Sequence, residues 1–259
     1  MKKAKRNSQN TEQNESKTSD TVRARIGFLG SSVSSSPHLK KFQAFIPKDV
    51  EMTFAGLELQ GGSMCDFEGK IDALVRNTVE LAEKYKWDGV IFPGAPREVL
   101  NPGLFSRLSS SLKIPVVTAL RSSIAALRTF SVTRVLLMTP FDEPLNKLIR
   151  DFLAEAGIEA VSASATFRHP TEAKTLTSDD VDSMTKKELA GNQGVDAIYF
   201  QGAVLDPVEI LEKMETELKI PIVASNPAML WSILSKLGLR YQISGYGKLL
   251  SSWPAMPKN

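Results

Sequence analysis

Two acidic side chains at matching places in the sequence are its plainest candidates for proton chemistry. Glu98 follows Gly94, and Asp206 follows Gly202, by the same short interval. A symmetric pair of carboxyl groups can act as general acid and general base. A structural role competes with catalysis at each position. Asp206 precedes a proline-led helical segment and would cap it, whereas Glu98 would be solvated or paired with Arg97.

The single cysteine, Cys65, is the third candidate catalytic residue. It follows the second strand-like segment, in a region that can border a cleft, where a thiol could exchange protons. A lone cysteine is more often a small apolar filler, so both roles stay open. The two histidines, His38 and His169, lack the spacing of a metal pair, and no cofactor fingerprint is present. We therefore expect neither a metal nor a cofactor.

The loops after the predicted strands contain small and polar residues that could bind a ligand carboxylate. Ser31 and Ser32 lie in a glycine- and serine-rich loop, whose N–H groups and hydroxyls suit an anion, although the loop is neither a GxGxxG motif nor a P-loop. Tyr246, between two glycines, could reach a cleft or pack within a turn. The predicted ligand-binding residues are Ser31, Ser32, Gly94, Ala95, Pro96, Thr139, Phe141, Gly202, Ala203, Ser225, Asn226 and Tyr246.

An internal duplication positions these residues. The stretch WDGVIFPGAP (Trp87–Pro96) is echoed by VDAIYFQGAV (Val195–Val204), and each is followed by a helical pattern and then by LKIPVV or LKIPIV. Strand-like runs alternate with helical periodicity, which predicts parallel sheets with covered faces. We predict an α/β fold of two Rossmann-like halves related by a pseudo-twofold axis, each with a four-stranded parallel sheet flanked by helices. Because ligands bind beyond the carboxyl ends of such strands, the site should lie in the cleft between the halves.

The predicted organisation has three parts. Residues 1–22 have almost no apolar side chains and should form a disordered tail. Residues 23–131 form the first half, and residues 132–259 form the second, whose C-terminal segment closes on the first.

Local signals predict several element boundaries. Strands are predicted at Gly89–Phe92, Arg134–Met138, Ala197–Phe200 and Ile222–Ala224. Residues 93–102 are predicted to be a loop, with Asn101 as the cap of the next helix. Ser178 or Asp179 should cap a helix over 177–190. A loop at 225–227 should precede the last long helix.

Composition limits the partners that we expect. The 259 residues can bury a sizeable core, and a net charge of +3 is too slight for a nucleic-acid-binding surface. No apolar run approaches the ~20 residues that span a bilayer, and the chain does not begin with a signal-peptide pattern. We expect a cytoplasmic protein that binds neither membranes nor nucleic acid.

The order of the segments resembles the Asp/Glu/hydantoin racemase superfamily, and within it the branch of arylmalonate decarboxylase and maleate cis-trans isomerase. This resemblance implies a cysteine at the end of one or both central strands, which exchanges a proton at the carbon next to a carboxylate. It also implies backbone N–H groups and hydroxyls around the enediolate oxygens, and a possible homodimer. The matching stretches are RIGFLGSS, DGVIFPGAP, RVLLMTPFDEPLNKLIRDFL, VDAIYFQGAVLDPVEILEKME, IPIVASNPAMLWSILSKLG and SGYGKLL.

The two expected thiol positions differ in how well they fit this pattern. Gly94 occupies the first position, which agrees with the decarboxylase pattern, whereas Gly202 occupies the second, where the resemblance to every thiol mechanism fails. The two glycines imply a roomier cleft and no central thiol. Losing a positioned general acid typically costs roughly 10²–10⁴-fold in rate, so the chemistry is changed or lost. Further departures are Val33 for an asparagine, Ala95-Pro96 for Thr-Ser, and Phe141 for a tyrosine.

Two functions follow from these departures. The first is a cofactor-independent lyase or isomerase that acts alpha to a carboxylate of a small mono- or dicarboxylic acid, without the usual thiol. The second is a non-catalytic member of the superfamily that binds a small carboxylate or a protein partner. The sequence alone also leaves open a deliberate Cys→Gly substitution.

Overall fold

The computed structural model describes residues 21–30, 37–56, 67–163, 172–202, 205 and 207–257. The elements of the first half are β1 (Ala24–Gly30), α1 (Pro37–Gln43), β2 (Val50–Gly56), α2 (Ile71–Tyr85), β3 (Gly89–Phe92), α3 (Ala95–Val99), α4 (Leu104–Ser111), β4 (Val116–Thr118) and α5 (Ala119–Thr129). Those of the second half are β5 (Arg134–Met138), α6 (Glu143–Glu155), β6 (Glu159–Ser162), a 3₁₀ helix (Glu172–Thr175), α7 (Ser178–Gly191), β7 (Ala197–Phe200), α8 (Leu211–Leu218), β8 (Ile222–Ala224), α9 (Ser225–Lys236) and α10 (Lys248–Ser252).

The two halves contain sheets of the same topology. The strand orders are β2-β1-β3-β4 and β6-β5-β7-β8, and every neighbouring pair is parallel. The predicted fold class is therefore confirmed. None of the described helices is long and apolar enough to cross a lipid bilayer.

Polar contacts at the amino ends of the strands repeat between the halves. The backbone N–H of Arg25 donates to the Asp88 carboxylate at 2.7 Å, and that of Arg134 donates to the Asp196 carboxylate at 2.9 Å. The guanidinium of each arginine also pairs with a glutamate on the adjacent edge strand. The duplication therefore extends to the contacts that hold neighbouring strands in register.

The halves pack through the helices that follow their last strands. Helix α5 lies against α9, α5 also contacts β8, and α9 contacts β3 and β4. Each half thus covers its sheet partly with a helix of the other, and a single large cluster of buried apolar side chains contains residues of both. A smaller cluster lies between the first sheet and helices α2 and α4. This interlocking fixes the carboxyl ends of the strands relative to one another.

Two local predictions in the first half are wrong. The predicted loop at 93–102 contains helix α3, which has only five residues and so produces no apolar periodicity. Asn101 does not cap α4, because Gly103 holds that position. The Asn101 side chain instead accepts from the N–H of Phe67 at 2.9 Å and donates to the carbonyl oxygen of Arg97 at 2.8 Å.

Two helix starts in the second half also differ from the prediction. Thr177 caps α7 in a capping box with Asp180, in place of Ser178 or Asp179. Helix α9 begins at Ser225, so the predicted loop at 225–227 forms the first turn of the helix. A proline is tolerated in a first turn because the N–H that it lacks would have no helical partner there.

Candidate active site

The two glycines predicted to mark the site lie just beyond β3 and β7. Gly94 has φ +90° and Gly202 has φ +116°. Residues with a Cβ rarely adopt this left-handed region, whereas glycine enters it readily. The backbone at both strand ends therefore favours glycine.

The space beside the two glycines differs. A Cβ on Gly202 would lie 2.8 Å from Cδ and 3.1 Å from Cγ of Pro140, and 3.6 Å from Cζ of Phe141. A Cβ on Gly94 would have the Arg97 side chain as its nearest neighbour, at 3.8 Å. The extra room expected beside Gly202 is thus absent in this direction, because the β5–α6 loop already fills it.

Asn146 on α6 holds that loop in place. The Thr139 hydroxyl donates to Oδ1 of Asn146 at 2.5 Å and accepts from the N–H of Phe141 at 3.2 Å. Nδ2 of Asn146 donates back to the Phe141 carbonyl oxygen at 3.0 Å. Sequence reasoning missed Asn146, although a polar residue on the buried face of an amphipathic helix is a usable signal.

Glu98, on α3, is buried, with 7% of its surface exposed. Its Oε1 accepts from Nε of Arg121, on α5, at 2.6 Å. Its Oε2 is buried and has no hydrogen-bond partner among the described residues. Arg97 donates to the carbonyl oxygens of Leu29 at 2.7 Å and Pro93 at 3.4 Å. The structure therefore favours neither a solvated Glu98 nor a pair with Arg97.

Tyr199, on β7, brings a second polar group close to Glu98. Its hydroxyl donates to Oε1 of Gln201, the residue before Gly202. Burial raises the pKa of Tyr199 and the carboxylate of Glu98 adds to the increase, whereas the hydroxyl of Ser123 opposes it. The Ser123 hydroxyl is itself buried and makes no hydrogen bond with any described residue, Tyr199 included. The phenol thus keeps its proton at neutral pH.

The buried polar group formed by Glu98, Ser123, Tyr199 and Gln201 joins the two halves. Glu98 and Ser123 come from the first half, and Tyr199 and Gln201 come from the second. Sequence reasoning identified only Glu98. The signal for Tyr199 and Gln201 was polar residues within an otherwise apolar strand and its exit, in the run AIYFQ.

Ser225 and Asn226 lie in the first turn of α9, and both are buried. The first N–H groups of a helix have no helical partners and attract anions. Because α9 follows directly from β8, this turn lies at the carboxyl edge of the second sheet. Ala95 and Pro96 occupy the corresponding place after β3, where they begin α3 and are also buried.

Tyr246 lies elsewhere. Its ring packs on Phe45 with 5.1 Å between centroids, and its hydroxyl donates to the Ala44 carbonyl oxygen at 3.4 Å. Phe45 lies just past the C-terminal end of α1, after the chain has returned from the carboxyl edge of β1 toward the start of β2. These contacts correspond to the packed-turn role, the alternative that the sequence left open.

Several predicted site residues cannot be placed. The following lie outside the described residues: Ser31, Ser32, Cys65, Ala203 and Asp206. The acid pair is therefore described only at Glu98. Within the described ranges, no group of three or more His, Cys, Asp or Glu side chains could hold a metal ion.

The chain is similar in sequence to known enzymes. The family profile described as arylmalonate decarboxylase matches residues 44–250. The maleate isomerase of Alcaligenes faecalis is 24% identical over 144 residues, which cover 55% of this chain and 56% of that protein. That of Geobacillus stearothermophilus is 26% identical over 141 residues, covering 53% and 55%. The chain spans about half the length of these curated relatives.

Solved structures extend the likeness over most of the chain. A crystal structure of arylmalonate decarboxylase superposes with a TM-score of 0.74 at 19% identity, covering 88% of this chain and 99% of that one. The maleate cis-trans isomerase of Nocardia farcinica, bound to TRIS, gives 0.71 at 20% identity, covering 88% and 98%. At these identities the structures establish the fold. Since the family profile spans both halves, from just after α1 into α10, the chain belongs to the arylmalonate decarboxylase family.

Proposed function

We propose that the protein is a cofactor-independent lyase or isomerase that transfers a proton at the carbon next to a carboxylate, without a central thiol. Its substrate would be a small mono- or dicarboxylic acid. The family match and the relatives named maleate isomerase support this class of reaction. Glycine at both strand ends supports the thiol-free chemistry, because neither Gly94 nor Gly202 offers a side chain.

The proposal depends most on the surroundings of the Glu98 carboxyl group. Arg121 holds one of its oxygens, while the other is buried and has no hydrogen-bond partner within the described part of the chain. Buried polar atoms are nearly always hydrogen-bonded, so an exception calls for an explanation. A substrate proton near the free oxygen would supply the missing partner. In this proposal, Glu98 gives or takes the proton that a cysteine exchanges in thiol-dependent relatives.

The reaction then needs no redox partner. In a decarboxylation, the bond between the α-carbon and one carboxylate breaks, carbon dioxide leaves, and the electron pair forms an enediolate that takes a proton at carbon. In an isomerisation by proton transfer, which inverts a saturated α-carbon, a proton leaves one face of that carbon and another returns to the opposite face. The N–H groups at the start of α9, near Ser225, would stabilise the enediolate oxygens, since preorganised donors favour developing negative charge.

Proton exchange in deuterated water tests this function. The full chain would be incubated with phenylmalonate, maleate and amino acids, and NMR would record deuterium at the α-carbon or loss of a carboxylate. We expect turnover of at least one substrate, and a loss of about 10²–10⁴-fold in Glu98→Gln. Asp182→Asn is the matched control. Asp182 is also buried and pairs with Lys186 at 2.7 Å, and one of its oxygens has no partner among the residues that the structure describes, but it lies on α7.

Three outcomes would contradict the proposal or a part of it. Turnover that survives in Glu98→Gln and falls in Cys65→Ser would assign the proton to the thiol. An equal loss in Asp182→Asn would make the effect of Glu98 structural. No exchange with any substrate, together with thermal stabilisation by a dicarboxylate, would favour the non-catalytic binding protein.

A further inference from the structure

A cavity of about 370 Å³ lies beside the β4 edge of the first sheet, between α4, α5, α6 and α9. Its volume is within the range of small-molecule pockets. None of the predicted ligand-binding residues lines it, so it is separate from the strand ends that hold Gly94 and Gly202. Its lining is Phe105, Val116, Val117, Arg121, Ser122, Ile124, Ala125, Arg128, Phe152, Glu155, Ala156, Ser232, Lys236, Met256 and Pro257.

Positive charge predominates in this lining. Arg121, Arg128 and Lys236 contribute three cations. Glu155 in the lining and Glu98, which pairs with Arg121 from outside it, contribute two carboxylates, so a small positive excess remains. Arg128 donates to a neutral acceptor, the Ala156 carbonyl oxygen, at 2.8 Å, and that bond leaves its charge uncompensated. Arg121 gives only its Nε to Glu98, so the rest of the guanidinium faces aromatic rings. An anion would therefore be favoured over a cation.

Aromatic and aliphatic side chains form the other part of the lining. The Arg121 guanidinium lies 4.2 Å from the ring centroid of Phe105 and 5.5 Å from that of Phe152. Val117 and Met256 add aliphatic surface. A bare inorganic anion would leave this apolar surface in contact with water, whereas an organic anion would cover it.

Ser122 supplies an independent sign of a ligand. Only 1% of its surface is exposed, its Oγ has no hydrogen-bond partner among the described residues, and it lines the cavity. The Oγ is not accessible from the cavity in this rotamer, so a carboxylate oxygen would accept from the hydroxyl after rotation about the Cα–Cβ bond of Ser122. Charge-assisted hydrogen bonds of this kind are the strong ones.

We propose that this cavity binds a small carboxylate with an aromatic or apolar body. The carboxylate accepts from Ser122 and from the guanidinium of Arg128, and the body packs against Phe105 and Phe152. The proposal does not depend on Glu98 transferring a proton.

Calorimetric titration of the full chain with benzoate tests this site. Ser122→Ala should weaken benzoate binding about tenfold, which corresponds to about 1.4 kcal/mol. Ser123→Ala is the matched control, because the Ser123 hydroxyl is also buried and unpartnered within the described chain but does not line the cavity. It should change the affinity less than twofold. Arg128→Gln, which retains most of the side chain at an exposed position, should also cost about tenfold.

The charge and the body of the probe are tested separately. Benzylamine has a similar shape and the opposite charge, and it should not bind. Inorganic phosphate has charge without an apolar body, and it should bind at least tenfold more weakly than benzoate. The site would be overturned if benzoate does not bind, or if its affinity is unchanged in both Ser122→Ala and Arg128→Gln. It would also be overturned by an equal loss of affinity in Ser123→Ala, or if benzylamine or phosphate binds as tightly as benzoate. The lining includes Arg121, the partner of Glu98, but not Glu98, Gly94 or Gly202. Benzoate binding and proton exchange are therefore measured separately, and either can fail without the other.

Discussion

Substituting alanine at the two strand-end glycines should destabilise the protein unequally. Gly94→Ala and Gly202→Ala both place a Cβ at a positive φ, of +90° and +116° respectively. Only at Gly202 does the new atom meet a packed neighbour, since Cδ of Pro140 would lie 2.8 Å away. We therefore expect Gly202→Ala to lower the free energy of unfolding more than Gly94→Ala does.

The size of the difference follows from two separate costs. Holding a residue with a Cβ in a sparsely populated backbone region costs about 1–3 kcal/mol, which applies to both variants. Overpacking a filled site adds about 1–3 kcal/mol, which applies only to Gly202→Ala. The expected difference is therefore about 1–3 kcal/mol, and each kcal/mol lowers the Tm of a chain of this size by roughly 2–4 °C.

Urea unfolding and thermal melts of five variants would measure this difference: the three single variants Gly94→Ala, Gly202→Ala and Pro140→Ala, and the two doubles that contain Pro140→Ala. Pro140→Ala removes the Cγ and Cδ atoms that the new Cβ would meet, so combining it with Gly202→Ala should recover part of the extra loss as a coupling energy. Gly94→Ala with Pro140→Ala should be additive and serves as the control. Equal losses in the two single variants, or no coupling between Gly202 and Pro140, would refute the steric reasoning.

Three further predictions concern charged groups. Arg121→Gln removes the partner of the buried Glu98 carboxylate and should lower the free energy of unfolding, measured in urea, by about 1–3 kcal/mol. This loss is below the range for fully buried pairs because Arg121 is half-exposed. Adding Glu98→Gln should restore part of the lost stability. Burial raises the pKa of Glu215, so its folded-state pKa exceeds 4.5. Its contribution to stability therefore falls as pH rises from 4.5 through the folded-state pKa. Glu215→Gln should lack this decline in a pH series of urea midpoints. The backbone N–H of Thr133 lowers the pKa of Asp196 below 3.8. The contribution of Asp196 to stability is therefore present above pH 3.8 and is lost as pH falls through the folded-state pKa. Asp196→Asn should flatten this part of an acid-unfolding curve.

The strands were the most predictable part of this fold. β3, β5, β7 and β8 begin and end where the sequence predicts, because each is a short apolar run bounded by residues that favour turns. Helix α3 was missed because five residues carry no periodicity, and the start of α9 was missed because a proline in a first turn resembles a loop. Local signals thus predicted whole elements better than their boundaries.

The candidate site was only partly predictable, for a different reason. The duplicated runs indicated Gly94, Gly202 and Glu98. Nothing local indicated that Arg121 would be the partner of Glu98, or that Tyr199 of the other half would lie near it. Both contacts depend on how α3 and α5 pack against the second sheet, and side-chain partners across such an interface are a property of the tertiary structure alone.

The surroundings of Gly202 bear on how a thiol-free site would arise. A site that had lost a cysteine by a single substitution would keep room for its Cβ and sulfur. Beside Gly202, the direction of the missing Cβ is filled by Pro140 and Phe141, in a loop that Asn146 holds with two hydrogen bonds. A sulfur there would require this loop to move, whereas Gly94 has the flexible Arg97 as its nearest neighbour. The filled space beside Gly202 supports the proposal that the proton is transferred from the first half, where Glu98 lies.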